Sequence, residues 1–154
     1  LSIQFLDERL SIHRSDSSGT EILTATPLFI GDIGLQVLAA IPAGNAANVR
    51  VALNGIVGIQ TDIGVFATIN LTVERNSTGV AGTGVTILTE SYSTEGVASF
   101  PPISVSAGDF PPASAVLAGQ IRYTLFISVT DTESSLGLKG PVVFNGSASA
   151  GVTT

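Results

Sequence analysis

A single histidine, His13, and no cysteine at all limit the chemistry open to this chain of 154 residues. A Ser–His–Asp triad needs an imidazole held rigidly beside its hydroxyl. His13 instead sits next to Arg14, just ahead of Ser15–Thr20 (SDSSGT), a polar stretch that reads as a flexible tether. A hydrolase triad is therefore not expected. Zinc and the other transition metals need His or Cys at ligand spacing, which the sequence lacks, so no metal or cofactor is expected. The twelve carboxylates are scattered. Asp62, Asp131 and Glu133 are the set that would have to share a calcium ion, but EF-hand spacing is missing, and solvated loop charges are the expected reading. A glycosidase needs two carboxylates across a cleft and aromatic side chains to hold the sugar. With no Trp and only Tyr92 and Tyr123, that activity is not expected either. The glycine-rich run Asn76–Gly84 lacks the Lys and the Ser/Thr that end a phosphate-binding loop, and reads as a plain loop. The N-x-S/T triplets at Asn70, Asn76 and Asn145 are what chance supplies in a chain this rich in Asn, Ser and Thr. No enzyme is expected.

Composition narrows the partners. Charged residues are 12% of the chain, apolar residues 44%, and the net charge is −6. The five arginines and Lys139 do not cluster, and a phosphate backbone is bound through grouped cations, so no nucleic-acid partner is expected. No run of 18 or more apolar residues exists to span a membrane. A surface built from hydroxyls, amides and small residues repels itself little, which suits packing against copies of the same chain.

The elements follow from alternation. Between Val49 and Arg75, Val49, Val51, Leu53, Val57 and Ile59 fall on one face; after a Thr-Asp-Ile-Gly turn, Val65, Ala67, Ile69, Leu71 and Val73 do the same. Such alternation marks strands with one buried face, and the pair reads as a long hairpin. Gln120–Thr130 is a second strong strand, with Ile121, Tyr123, Leu125, Ile127 and Val129 opposite Arg122, Thr124, Phe126, Ser128 and Thr130. Further strands are expected over Glu21–Ile30 (broken by Pro27), Gly31–Ile41, Val85–Tyr92, Val97–Val105 (split by Pro101-Pro102) and Pro141–Ala150. Pro42–Asn48, Ser106–Ala118 and Asp131–Gly140 read as turns and loops. About eight strands at this spacing imply a two-sheet antiparallel sandwich.

Two domains of behaviour are expected: residues 1–20 as an N-terminal connector segment on a tether, and residues 21–154 as the sandwich. Phe5, Arg9 and Ile12 fall near helical spacing, but the alternation of Leu1–Ile12 favours an extended apolar segment over a short helix, with Leu1, Ile3, Phe5, Leu6, Leu10 and Ile12 as its docking side chains. It reads either as an edge strand of its own domain or as a connector that adds to a neighbouring subunit's sheet. The candidate oligomer interface comprises Ile56, Phe66, Tyr123, Phe126 and Phe144, because Ile56, Phe66 and Phe126 interrupt otherwise polar strand faces.

The order of motifs resembles the C1q/TNF-like jelly-roll domain. Gly64-Val65-Phe66 leads into a long strand, Ile69–Val73. Ile103–Asp109 ends like that family's Pro-Gly-Asp turn, with Ala107 for the Pro. An aromatic strand, Tyr123–Val129, and a closing Phe144-Asn145-Gly146 complete the order over Gly31–Gly151. The low-charge, Gly/Thr/Val-rich style is most similar to the bacterial branch found in exosporium and appendage proteins of endospores. The resemblance implies an all-β jelly roll that forms a homotrimer, used structurally outside the cell on a spore or cell surface. It also implies a fibre in which an N-terminal peptide links successive trimers. The other reading is a lectin-like or receptor-binding head of a surface or phage fibre, using the loops Pro42–Asn48, Asn76–Gly84 and Asp131–Gly140.

Overall fold

The computed structural model describes residues 3–19, 21–131 and 136–152. Among them are nine strands: β1 Gln4–Arg14, β2 Glu21–Leu23, β3 Leu28–Gln36, β4 Val49–Gln60, β5 Thr68–Arg75, β6 Val85–Ser93, β7 Ile103–Asp109, β8 Gln120–Thr130 and β9 Leu136–Ala150. One short helix, α1, covers Ala113–Leu117. It is far too short to cross a membrane, and no helix of the described residues is long and apolar enough to do so.

The strands form two antiparallel sheets, β1-β9-β4-β7 with β2 also on β9, and β3-β8-β5-β6. Their pairing is nested. β5 pairs β6, β4 pairs β7, β3 pairs β8 and β1 pairs β9. The chain is thus one long folded hairpin wrapped into a sandwich, and the β4–β9 and β5–β8 pairs lock the wrap. This is a jelly roll.

Inward residues of both sheets fill the core. Ile121, Tyr123, Leu125, Ile127 and Val129 of β8 face Val49, Val51, Leu53 and Val57 of β4, with Val142 and Phe144 of β9 beside them, all nearly inaccessible. Close approach of the sheets depends on small residues. A Cβ on Gly31 of β3 would stand 2.7 Å from the Cβ of Phe144, so the glycine leaves the space the ring's stem occupies.

Several expectations are corrected. Val49–Arg75 is two strands but not a hairpin: β4 and β5 lie in different sheets and share no pairs. The intervening segment 61–67 is a crossover, not a tight turn, with Gly64 at φ 81°. Alternation specifies faces, not partners. The strand expected over Gly31–Ile41 stops at Gln36, and Leu38–Ala40 is a 3-10 turn. β7 runs on to Asp109, and α1 occupies what reads as a loop. Of the Asp131–Gly140 loop, residues 132–135 with Glu133 lie outside the described residues, and β9 already begins at Leu136. The break at Pro27 falls between β2 and β3.

The N-terminal segment is extended, but it is not held off on a tether. β1 runs along β9 as an edge strand of its own sheet, from Gln4 opposite Ala150 to Arg14 opposite Val142. Polar bonds then close that side of the sandwich. The Gln36 amide donates to Asp7 Oδ2 at 2.8 Å, and the Asp32 amide donates to Ser11 Oγ at 3.1 Å. Partial burial pushes the Asp7 carboxyl up, but the bonds from Gln36, Arg9 and Glu8 outweigh it and hold the group below its ordinary value. β1 supplies no residue to the buried core, and only Leu6 packs against it. Leu1 lies outside the described residues.

Candidate assembly surface

The outward residues of β9, β4 and β7 form one face, and their register is fixed by the ladders. Ile56 lies opposite Val143 and Ser104, Asn54 opposite Asn145 and Ser106, and Ala52 opposite Ser147 and Gly108. β1 extends two of these rows, with Ile12 opposite Val143 and Leu10 opposite Asn145. The result is an apolar row, Ile12–Val143–Ile56, beside a row of amides and hydroxyls. Between Arg50 near one end and Lys139 near the other, no outward side chain on these three strands is ionisable. Phe5, Leu10 and Ile12 on β1 are largely exposed.

The other sheet differs. Part of its outer face is covered by the chain itself. Glu74, at a bulge near the end of β5, is only 2% exposed. Its carboxylate accepts the amide hydrogens of Gly82 and Gly84, each at 2.8 Å. Gly82 holds φ 85°, a left-handed conformation that glycine adopts without strain. Segment 76–84 is thereby folded back over the sheet. Asn76 Oδ1 accepts from the Arg122 amide, Ser77 Oγ donates to Thr124 Oγ1, and Thr124 Oγ1 donates to Asp32 Oδ1. Arg122 Nε donates to the same Asp32 oxygen at 2.8 Å, and its guanidinium lies 5.9 Å from the Phe29 ring centroid. The bond to Asp32 raises the Arg122 pKa further above its ordinary value. Beside this network is a cleft of about 260 Å³, bounded by Pro27, Thr72, Gly82 and Phe126.

A second polar group joins the sheets. Arg75 Nη1 donates to both oxygens of Asp109 at 2.8 Å, and Tyr123 Oη donates to Asp109 Oδ2 at 2.7 Å. Arg75 and Tyr123 come from β5 and β8, Asp109 from β7 in the facing sheet. Burial first, then the bond to the Asp109 carboxylate, pushes the Tyr123 hydroxyl far above the usual phenol range. The group is structural: it satisfies a phenol and an ion pair inside the sandwich.

The candidate interface residues therefore separate. Phe66 is 62% exposed, and Ile56 is half-buried on the outer face. Tyr123 and Phe144 are fully enclosed on inward faces and belong to the core. Phe126 does point outward, as its alternation indicates, yet is 2% exposed. It stands edge-on to Phe29, ring centroids 6.2 Å apart, within the face that segment 76–84 overlies. These three are not surface. Phe66 rests on a backbone-locked pair of loops. The Gly64 amide donates to Gly96 O, the Gly96 amide to Val65 O, and the buried Thr94 hydroxyl to Val65 O. Among the described residues, no group of three His, Cys, Asp or Glu side chains is placed to hold a metal ion.

The three loops of the alternative binding head do not converge. Residues 42–48 precede β4 and residues 76–84 precede β6 at one end of the sandwich, whereas Asp131 follows β8 at the other. Alternation in the sequence puts Arg50 and Asn54 opposite the buried face of their strand, but sequence reading did not include them, or Val143, in an assembly surface. Alternation in the closing strand (Val142, Phe144, Gly146 against Val143, Asn145, Ser147) is the signal that locates the outer row.

No protein-family model matches the chain, and no curated protein matches its sequence. Solved structures with a similar course include the D431N mutant VP2 protein of infectious bursal disease virus in derived T=1 particles. It shares 9% identity over 94% of this chain and 35% of that one, with a TM-score of 0.49. The CBM36-1 domain of a multidomain xylanase from the hindgut metagenome of Trinervitermes trinervoides shares 9% identity over 96% and 100% of the two chains, at 0.43. Eiger TNF from S. frugiperda shares 17% over 98% and 95%, at 0.42. The chain spans little more than a third of the VP2 chains.

Proposed function

We propose that this chain is a non-catalytic structural subunit that assembles with copies of itself through the outer face of β9, β4 and β7. One observation carries the reading: the outer face of β9, β4 and β7 is ordered by continuous ladders, joins Ile12 of β1 in the row Ile12–Val143–Ile56, and has no charge on those three strands between Arg50 and Lys139, the exposed Glu8 of β1 standing at its margin opposite Ser147. Depletion of charge at the centre of a surface patch is the compositional mark of a protein interface, and contiguous apolar surface marks sites of association. A homotrimer is the closed assembly that the resemblance to C1q/TNF-like domains implies, and an extracellular spore or cell surface is the setting it implies. The test is mass in solution. Ile56→Glu puts a carboxylate in the middle of the face, where desolvating it without a partner costs several kcal/mol. The variant should sediment as a monomer and melt close to the parent. An oligomer of unchanged mass would place the interface elsewhere.

Polymerisation into a fibre is the second part of the reading, with β1 as the link. What supports it is how β1 is held: a ladder to β9 and polar bonds from Asp7 and Ser11, with nothing in the buried core. The same ladder forms whether β1 comes from its own chain or from a neighbour, so exchange between copies has little net cost. Removal of residues 1–12 should leave the sandwich folded while filaments disappear from electron micrographs. Filaments of normal length from the truncated chain would end the connector role.

A further inference from the structure

Phe110, immediately after β7, is 81% exposed. A single exposed apolar side chain is ordinary; what sets Phe110 apart is that it stands beside concave surface. Two recesses flank it. One, of about 240 Å³, is lined by Arg50, Ala52, Gly108, Ser147 and Ser149 on the face already described. The other, of about 200 Å³, is lined by Asn48, Arg50, Gly151 and Val152 around the rim. The Phe110 ring itself forms one wall of both, and Asp109, paired with Arg75, also borders the first. Each has room for a phenyl ring. Arg50 is common to both. Its Nη1 donates to Gly151 O at 2.8 Å, which fixes the guanidinium, while Nη2 has no hydrogen-bond partner among the described residues.

Charge distribution selects the occupant. At this end of the sandwich, segments 37–48, 76–84, 110–119 and 151–152 contain no ionisable side chain. The opposite end carries Asp16, Asp62, Glu95 and Asp131 in its loops. Two copies meeting by the neutral end bury no uncompensated carboxylate, whereas contact through the acidic end would. Arg50 is the cation that borders both recesses, Arg75 and Arg122 at the same end being paired with Asp109 and Asp32, and the face of an aromatic ring attracts a guanidinium. Knob and recess lie side by side on one surface, so every copy offers both halves of the contact.

We infer that Phe110 of one copy seats in the Arg50-lined recess of another, with the ring against the guanidinium. This rests on the proposed self-assembly and names the contact that sets its geometry. Phe110→Ser should weaken self-association at least about tenfold, as loss of a central aromatic anchor does, without changing the melting of the folded chain. The direct test keeps an aromatic at position 110 by installing p-benzoylphenylalanine there and irradiating an equal mixture of isotopically light and heavy chains. The expected product joins position 110 of one isotope to residues 50–52 or 147–149 of the other. Links confined within single chains, or to other regions, would overturn the Phe110 contact while an oligomeric mass for the parent protein keeps self-assembly standing. A monomeric parent at all concentrations would overturn both.

Discussion

Replacing Asp109 by Ala is expected to lower the unfolding free energy by about 3–5 kcal/mol, the usual result of removing one partner from a buried ion pair. The Arg75 guanidinium, with only 13% of its side chain exposed, would lose both of its carboxylate contacts. The Tyr123 hydroxyl, fully enclosed, would lose its acceptor. The phenol has no access to water and the guanidinium little, so solvent compensates poorly. Tyr123→Phe removes only the phenol and should cost about 1.5–3 kcal/mol, the range for a hydrogen bond to a charged group. Because both substitutions act on one network, their effects should not add. Urea unfolding of the single and double variants measures this. A loss from Asp109→Ala below about 1 kcal/mol, the worth of an exposed pair, would mean that the group is solvated.

Phe144→Ala is the second large effect, at about 3–5 kcal/mol for a fully buried aromatic. The ring is inaccessible and sits over Gly31 of β3, so its removal opens a void between the sheets. The informative part is the dissociation. Ile56→Glu should change mass and leave the melting temperature nearly untouched. Phe144→Ala should do the reverse, lowering stability while the folded fraction keeps the parent's oligomeric mass. If Phe144→Ala instead dissociates a stable fold, the ring faces another copy.

That contrast shows where the sequence is readable. β8 is legible to the residue because Ile121, Tyr123, Leu125, Ile127 and Val129 alternate with polar side chains, and the structure buries all five. What alternation cannot carry is the identity of the neighbour. Val49–Gln60 and Thr68–Arg75 look like hairpin arms since they are adjacent in sequence, yet each pairs with strands much later in the chain. Phe126 fails for another reason. Its face is read correctly, but no local pattern reveals that Glu74 will capture the Gly82 and Gly84 amides and bring a glycine-rich segment down over that sheet. Nor does Asp109 advertise its partners, because Arg75 and Tyr123 arrive from the facing sheet. The outer row of β9 was within reach, since Val143, Asn145 and Ser147 alternate cleanly once Phe144 is assigned inward.

The nested ladders also set a timetable. Arg75 meets Val85 across one short loop, whereas Arg14 meets Val142 only after almost the whole chain has been placed between them. Loop-closure entropy rises with the length enclosed, and non-local pairs are slow to form. Folding that starts at β5–β6 and zips outward therefore leaves the β9 edge vacant until the last event. During that interval the chain's own β1 competes with the β1 of any neighbour present. The first arrives at a rate fixed by the length of chain that joins it to the sandwich, the second at a rate proportional to concentration. On the proposed connector role of β1, dilute refolding is expected to yield closed, self-capped units and crowded refolding linked ones, so that the density of chains at the moment each sandwich closes would decide the final architecture.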